Sequence, residues 1–292
     1  MSKDDKQKYK IERRAEMAED FTIEQKWEDY SAEDHAVWKA LYNELFELLI
    51  PNMACKEYRD GLREFGDAIG NDGVPRFDAL SDVLDKKTGW RIVAVPGAVP
   101  GDIFFQHLAN RRFPVTDWIR SREQMHYIEQ PDAFHDIFGH VPLLLNPIFA
   151  DYMAAYGRGG LKAKDLKGIK YLGRLYWYTV EFGLIKSRYN DDELRIYGAG
   201  ILSSPKESVY SLQSAKPNRI KFDIKRIMQT DFNITDLQNL YFVVDSFEQL
   251  FDATKVDFTQ YYEELRGSEP YQPEQLLKTD DLLNRGECAT DI

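Results

Sequence analysis

The 292-residue chain contains little of what marks secreted, membrane-spanning or nucleic-acid-binding proteins. Its two cysteines, Cys55 and Cys288, are too few for a disulfide framework, so we expect free thiols in a reducing compartment. Residues 1–20 have no apolar segment, and nowhere do about 18 apolar residues follow one another, so we expect neither a signal peptide nor a membrane-spanning helix. These absences favour a soluble, cytoplasmic protein.

Basic residues are in the minority. The chain has 38 lysines and arginines against 49 aspartates and glutamates, which gives a net charge of -11. Nucleic acids and anionic membranes attract basic surfaces, so this balance argues against both as main partners. The rest of the composition, 43% hydrophobic and 13% aromatic, is typical of a globular protein.

The spacing of the apolar residues predicts a mainly α fold. We expect a single helical domain with a few short β-strands over residues 23–267. A charged, flexible tail (1–22) is expected before it and a second tail (268–292) after it. No repeat or low-complexity linker divides the middle of the chain, so one domain is predicted rather than two.

Capping residues and helix-breaking residues place the elements. Ser31 and Asp34 have the spacing of a capping box, and the helix that they begin is expected to end before Pro51. Asp102 is expected to cap the helix that follows it. Further helices are predicted near 58–65 and over 75–89, 146–157, 166–186 and, with an interruption, 246–265. Short strands are predicted over 90–95, 194–200 and 240–244.

The stretch PDAFHDIFGH (131–140) holds two of the five histidines of the chain, His135 and His140. On a continuous α-helix a gap of five residues would turn the two imidazoles about 140° apart. Gly139 and Pro142 favour a helix end near Phe138, after which His140 would fold back towards His135. The pair then becomes a candidate metal site.

A third ligand is expected from the stretch LYWYTVEFGLI, whose only charged residue is Glu181. A buried carboxylate needs a partner, and this partner is either a metal ion or an arginine such as Arg174 or Arg188. Two histidines and one carboxylate form the facial triad of non-haem Fe(II) oxygenases. Zinc hydrolases use the same residue types, so the residues alone leave both readings open.

Four stretches carry a resemblance to a known family. PDAFHDIFGHVPLL, LYWYTVEFGL and YGAGILSS, in this order, resemble the tetrahydropterin-dependent aromatic amino acid hydroxylases. VPGAVPGDIFFQHLANRRFPVTDWIR is similar to the bacterial phenylalanine 4-hydroxylases in particular. The resemblance covers roughly residues 35–265. It implies a monooxygenase that converts L-phenylalanine to L-tyrosine, the first step of phenylalanine catabolism.

The resemblance also implies the cofactors and the residues that bind them. The metal is expected to be Fe(II), bound by His135, His140 and Glu181, with no side chain acting as a general base. Asp132, one turn before His135, either orients an imidazole or is an ordinary helix N-terminal carboxylate. Tetrahydrobiopterin or a related tetrahydropterin is expected to contact Gly97, Val99, Gly101, Phe104, Asp136 and Tyr176.

For the amino acid substrate, the resemblance implies that Arg120 grips the carboxylate and that Ser203 assists. A guanidinium suits this role because its planar donors can form two parallel bonds, although a surface ion pair is the alternative. Pro131 and Trp177 are expected to wall the aromatic ring. Gly101 and Ile128 stand where animal members of the family carry serine and threonine, which puts one pterin contact and one substrate contact in doubt.

Two further expectations concern assembly and rival activities. The last twenty residues show no sustained heptad, so a monomer is expected. Tryptophan or tyrosine hydroxylation is the rival within the family, and a zinc hydrolase is the rival from another class. A hydrolase would need neither dioxygen nor a pterin.

Overall fold

Helices dominate the computed structural model, which describes residues 17–126, 128, 130–190 and 193–292. The mainly α prediction is therefore confirmed. The α-helices are Ala32–Leu49 (α1), Lys56–Phe65 (α2), Phe77–Thr88 (α3), Gly101–Ala109 (α4), Pro147–Asp165 (α5), Ile169–Tyr176 (α6), Ala199–Leu202 (α7), Pro205–Gln213 (α8), Ile224–Met228 (α9), Phe247–Ala253 (α10) and Thr259–Glu264 (α11). Two π-helical segments are His135–His140, the first π-turn, and Trp177–Glu181, the second π-turn.

The strands are short and lie in three sheets. They are Arg91–Val95 (β1), Arg112–Thr116 (β2), Leu184–Lys186 (β3), Leu194–Ile196 (β4), Asn218–Lys221 (β5), Leu240–Val244 (β6), Gln275–Leu276 (β7), Leu282–Asn284 (β8) and Thr290–Asp291 (β9). The largest sheet has the order β4-β3-β6-β5-β8, while β1 pairs with β2 and β7 with β9. Among the helices of the described residues, none has the length and apolar character that a bilayer crossing requires.

The first helices form as their capping residues predict. The Ser31 hydroxyl accepts from Asp34 N, and the Asp34 carboxylate accepts from Ser31 N, which completes the capping box of α1. Gly89 ends α3 in the left-handed conformation at φ 72°, which glycine adopts without steric cost. The predicted boundaries of these helices are therefore confirmed to within about two residues.

The segment 91–116 differs from its prediction in two ways. Strand β2 was not predicted, and it pairs in parallel with β1 across the connecting helix α4. Asp102 does not cap α4, because Pro100 precedes the first helical residue and Asp102 already lies inside the first turn. Its carboxylate instead accepts from Lys164 Nζ at 2.8 Å, on the neighbouring helix α5.

Two predicted elements have different bounds in the structure. The helix expected over 166–186 ends earlier, and its last residues form β3. The strand expected over 194–200 ends at Ile196, and α7 follows it. Strand β3 pairs with both β4 and β6, so backbone pairing within the sheet overrides the apolar pattern that suggested one long helix. The interrupted helix over 246–265 is confirmed as α10 and α11.

The C-terminal segment was expected to be a loose tail, and this is wrong for residues 275–292. Strand β8 pairs antiparallel with β5, and β7 pairs with β9. Asp280 forms an ion pair with Arg226 in which the two side chains are 4% and 5% exposed. Because β8 is exposed and its strand is short, no alternation of apolar and polar residues marked it in the sequence. Residues 1–16 of the predicted N-terminal tail lie outside the described residues, whereas Asp20 forms an ion pair with Arg112 at 3.0 Å.

Candidate metal centre

The two histidines meet because the chain between them is a π-helical turn rather than a helix end. In a π-helix the backbone bond joins residues i and i+5, so His135 and His140 project from the same face. The predicted helix end near Phe138 is therefore wrong. Gly139 keeps a negative φ, and its role is close packing, because a Cβ there would lie 2.9 Å from the carbonyl oxygen of Ala199.

Glu181, at the end of the second π-turn, completes a cluster of three. The Nε2 atoms of His135 and His140 are 3.2 Å apart. Glu181 Oε1 lies 3.2 Å from His140 Nε2, and Oε2 lies 3.5 Å from His135 Nε2. The arginine alternative for Glu181 is wrong, since Arg174 pairs with Asp231 and Arg188 pairs with Glu57.

These separations fit one divalent ion bound by all three side chains. An ion with bonds of about 2.1 Å holds its ligands about 3.0 Å apart at right angles and about 3.4 Å apart in a tetrahedron. The three measured separations lie between 3.2 and 3.5 Å. The donor set of two imidazoles and one carboxylate is also the set that Fe(II) oxygenases and zinc enzymes use.

The protonation states of His135 and Glu181 suit metal binding. Burial lowers the pKa of His135 to about 4, so its imidazole is neutral near pH 7 and a lone pair is available. The Ser203 hydroxyl donates to the carbonyl of Ala199 at 2.8 Å and lies 2.8 Å from His135 Nδ1. Nδ1–H therefore donates to Ser203, which leaves Nε2 facing the site. Burial by itself would raise the pKa of Glu181. The neighbouring His140 and His135 outweigh this effect, so the pKa lies below its ordinary value and the carboxylate is ionised at neutral pH.

Asp132 fixes the start of the first π-turn. Its Oδ1 accepts from the backbone N of His135 at 3.0 Å, which is the helix N-terminal role rather than a contact with an imidazole. It also forms a two-bond ion pair with Arg120, with Nε–Oδ2 and Nη2–Oδ1 both 2.8 Å. The pair is buried, with Arg120 4% exposed, so the surface ion pair considered for Arg120 is wrong.

The guanidinium of Arg120 has donors left after these contacts. Arginine has five N–H donors, and here Nε and Nη2 bond Asp132 while Nη1 donates to the carbonyl of Met125 at 3.0 Å. Two N–H groups remain for a further acceptor. Of the neighbouring expected substrate residues, Pro131 is exposed and Ile128 is half-buried.

An aromatic wall connects the loop after β1 to the candidate ligand His140. Phe104, on α4, contacts Tyr176 with ring centroids 5.6 Å apart, and Tyr176 lies 6.3 Å from the His140 ring. Gly97 and Gly101 flank half-buried Val99 in the loop that leads to Phe104, and a Cβ at either glycine would meet nothing within 4 Å. Space for a flat ligand therefore adjoins this loop.

Asp136 lies between the two histidines on the first π-turn. Its Oδ2 accepts from the backbone N of Thr116, at the end of β2, at 2.9 Å. Burial raises the pKa of Asp136 to about 7, although the bond from Thr116 and the neighbouring His140 oppose this rise. Burial therefore favours the neutral form of this carboxyl group more than in an exposed aspartate, beside the candidate ligand His140.

Trp177 contacts two aromatic rings. It stacks on Phe232 with centroids 4.5 Å apart and planes 15° apart, and Phe182 lies 4.6 Å away. Its Nε1 donates to Gln238 Oε1 at 2.9 Å. Phe232 and Gln238 were not predicted from the sequence, because both lie in a loop without periodic apolar residues. Phe182 was not predicted either, although its position directly after Glu181 could have indicated it.

Comparison with known proteins identifies relatives of this site. A model of the biopterin-dependent aromatic amino acid hydroxylase family matches residues 2–271. The phenylalanine-4-hydroxylase of Ralstonia nicotianae is 55% identical over 267 residues, which cover 91% of this chain and 83% of the relative. The phenylalanine-4-hydroxylase of Chromobacterium violaceum is 53% identical over 270 residues, 92% of this chain and 89% of the relative.

Solved structures agree with these matches. A crystal structure of the Chromobacterium violaceum phenylalanine hydroxylase with iron and phenylalanine bound superimposes with a TM-score of 0.85. The identity is 52%, and the match covers 91% of this chain and 94% of that one. A cobalt-bound structure of the same enzyme matches with a TM-score of 0.87, at 50% identity over 97% of this chain and 99% of that one.

Proposed function

The chain belongs to the biopterin-dependent aromatic amino acid hydroxylases, and from this premise we propose how its residues divide the work. It is a monooxygenase that converts L-phenylalanine to L-tyrosine with Fe(II), dioxygen and a tetrahydropterin. The observation that carries this conclusion is a cluster of His135, His140 and Glu181 in a chain 55% identical to a phenylalanine-4-hydroxylase. The zinc hydrolase and the other two aromatic substrates have no comparable support.

We propose that His135, His140 and Glu181 hold the iron. The three donor atoms lie close enough to share one ion, and the bond from His135 to Ser203 keeps Nε2 turned to the site. With the metal and the pterin bound, the site supplies oxygen activation and the electrons that it needs. The protein supplies ligand orientation and a buried setting, since His140 is 5% exposed.

The pterin is proposed to lie between the loop after β1 and the aromatic wall. Phe104 supplies a ring face, and Tyr176 connects this face to His140. Open space beside Gly97 and Gly101 lets a flat ring approach the backbone around Val99. Asp136 would contact the pterin through water, since one carboxylate oxygen is already bonded to Thr116 N.

The substrate is proposed to be held at both ends. The two remaining N–H groups of Arg120 suit the α-carboxylate, and the ion pair with Asp132 keeps the guanidinium plane fixed. Trp177 and Pro131 are the proposed walls for the aromatic ring. Ser203 remains the proposed helper, although its hydroxyl already bonds His135 and Ala199. This arrangement orients the ring before reaction, which raises the rate of a step between two bound reactants.

The activity is tested by oxygen uptake and product analysis. Metal-free protein is loaded with Fe(II), supplied with a tetrahydropterin, and given phenylalanine, tyrosine or tryptophan in separate reactions. We expect tyrosine to form from phenylalanine and turnover of the other two amino acids to be much slower. Oxygen uptake without tyrosine, or equal activity with Zn²⁺ in place of Fe(II), would contradict the assignment.

We also propose a cytoplasmic monomer that performs the first step of phenylalanine catabolism, with residues 23–267 as the catalytic domain between segments 1–22 and 268–292. The free thiols of Cys55 and Cys288 suit a reducing compartment. Sedimentation velocity at micromolar concentration is expected to give a single species near 34.1 kDa, and a stable dimer or tetramer would refute the monomer. Cell fractionation tests the location.

A further inference from the structure

A buried glutamine holds Trp177 in place. Gln238, just before β6, is 3% exposed, and its Oε1 accepts from Trp177 Nε1 at 2.9 Å. Its Nε2 donates to the carbonyl oxygens of Asn233 at 2.9 Å and Asp236 at 3.1 Å. Reversing the amide would set its NH₂ against the indole N–H and its oxygen against two carbonyls, so one orientation alone satisfies every group.

A second buried side chain fixes the backbone of this glutamine. Glu207, in the first turn of α8, is 5% exposed, and its Oε1 accepts from Gln238 N at 3.1 Å. The same oxygen accepts from the Tyr241 hydroxyl. Ser203, which bonds the iron ligand candidate His135, lies just before α8. One short stretch of chain therefore supports both a metal ligand and the residue behind Trp177.

Gln238 also closes the loop that carries the ring stacked on Trp177. Its two bonds to Asn233 and Asp236 span a turn that begins one residue after Phe232. The indole is therefore held by a hydrogen bond at its edge and by a stacked ring on its face. If the glutamine were replaced by an apolar residue, the indole N–H would lose its acceptor and the turn would lose two donors.

We propose that Gln238 is a positioning residue for the aromatic ring of the substrate, acting through Trp177 and the turn 233–236. This rests on the proposed function, in which Trp177 walls the ring of phenylalanine. A fixed indole plane limits the orientations in which the ring can lie next to the metal. A loosened indole admits more of them, so phenylalanine binds less tightly and more tetrahydropterin is oxidised without forming tyrosine.

Steady-state kinetics on Gln238→Met, a substitution of similar size that has no donor and only a weak acceptor in its thioether, tests the proposal. We expect the KM for phenylalanine to rise about tenfold, as an unpaired buried donor implies, and the tyrosine formed per pterin oxidised to fall. The KM for the tetrahydropterin and the iron content should stay unchanged. Gln249→Met is the matched control, because Gln249 accepts a hydrogen bond from Asp245 N away from the site.

Two further variants separate positioning from general stability. Gln238→Glu keeps an acceptor for the indole but sets its second oxygen against the carbonyls of Asn233 and Asp236, so its KM for phenylalanine should rise less than that of Gln238→Met while its melting temperature falls. In a Trp177→Phe background, where no indole N–H exists, Gln238→Met should change KM much less than it does alone. Gln238→Glu also serves if the methionine variant does not fold.

The outcomes separate this inference from the proposed function. If Trp177→Leu raises the KM for phenylalanine while Gln238→Met lowers only the melting temperature, the positioning role is overturned and the wall role stands. If neither variant changes the KM, Trp177 is not at the substrate and both assignments fall. Equal effects of Gln238→Met with and without the indole would also overturn the role through Trp177.

Discussion

The two π-turns that carry the proposed metal ligands are held in different ways. The first, with His135 and His140, depends on a charged pair, since Asp132 bonds both its backbone and the guanidinium of Arg120, beside a neutral bond from the Tyr58 hydroxyl to the carbonyl of Phe138. The second, with Glu181, is fixed by neutral groups. The Tyr178 hydroxyl donates to the carbonyl of Asp231 at 2.6 Å, and Trp177 is held by Gln238 and by the stacked ring of Phe232.

The difference predicts which changes each turn will resist. A buried ion pair depends on the protonation of its carboxylate, and removing one partner leaves an unpaired buried charge. A neutral hydrogen bond between a phenol and a carbonyl does not titrate below about pH 9. We therefore expect the first turn to respond to charge substitution and pH, and the second to respond to the loss of ring contacts and neutral bonds.

The largest effect is expected where the two turns act alike. Replacing His140 on the first turn or Glu181 on the second with alanine should abolish tyrosine formation, because two ligands hold iron weakly. Circular dichroism should show that the fold is kept. Iron content and activity are measured on the same preparations. Full activity in either variant would show that the replaced residue is not a metal ligand, and that the two turns do not both contribute to the metal site.

The next largest effect is expected at Arg120, the partner of Asp132 beside the first π-turn. Arg120→Lys should raise the KM for phenylalanine about ten- to a hundredfold, because lysine cannot form two parallel bonds and a hydrogen bond to a charged group is worth about 1.5–3 kcal/mol. Pterin KM and iron content should change little. Arg91→Lys is the control, since its pair with Asp85 is exposed. If Arg120 serves only Asp132, stability falls and KM stays constant.

An effect of similar size, on iron affinity rather than on the KM for phenylalanine, should follow from the support of His135. Ser203→Ala removes the acceptor for Nδ1–H, and loss of such a partner typically weakens metal affinity about 10- to 100-fold. Titration of metal-free protein with Fe(II) measures this affinity. The buried Ser211, which donates to the carbonyl of Ser208, gives the control Ser211→Ala. Unchanged iron affinity with a raised KM for phenylalanine would instead make Ser203 a substrate contact.

The sequence singled out the candidate ligands, but it did not predict the backbone geometry that brings them together. Histidines are rare in this chain, and Glu181 is the only charge in an apolar stretch, so all three ligand candidates stood out. The π-helical backbone around them did not stand out. A π-turn differs from an α-helix only in bonding residue i to i+5 instead of i+4, and the spacing of apolar residues does not reveal this difference. Family resemblance, rather than periodicity, brought Arg120 and Phe104 to the site.

Contacts between distant segments were beyond reach of the sequence. Gln238 lies 61 positions from Trp177 along the chain, in a loop with no apolar periodicity, and the two meet only once β6 is in place. The pair of Arg120 with Asp132 was missed for a similar reason, because each residue already had a plausible local role. Strand β8 went unpredicted because an exposed strand needs only a backbone partner, which β5 supplies.

The smallest expected effect is on the pH dependence of the free energy of unfolding, which should differ between the two turns. Burial works against ionisation of Asp132, but Arg120 outweighs it, so the pKa of Asp132 lies below its ordinary value in the folded protein. The stability that this carboxylate contributes is therefore present above about pH 4 and is lost as the pH falls through the folded pKa. Tyr178→Phe removes a neutral bond and should cost about 1–2 kcal/mol at every pH.

Urea unfolding of metal-free protein from pH 7 down to pH 3 measures both variants against the parent. The difference between the parent and Asp132→Asn should shrink as the pH falls below about 4, because the parent then loses its own ion pair. The difference for Tyr178→Phe should stay constant, since nothing in its bond to Asp231 titrates in this range. A pH-dependent difference for Tyr178→Phe, or a constant one for Asp132→Asn, would show that charge does not distinguish the two turns.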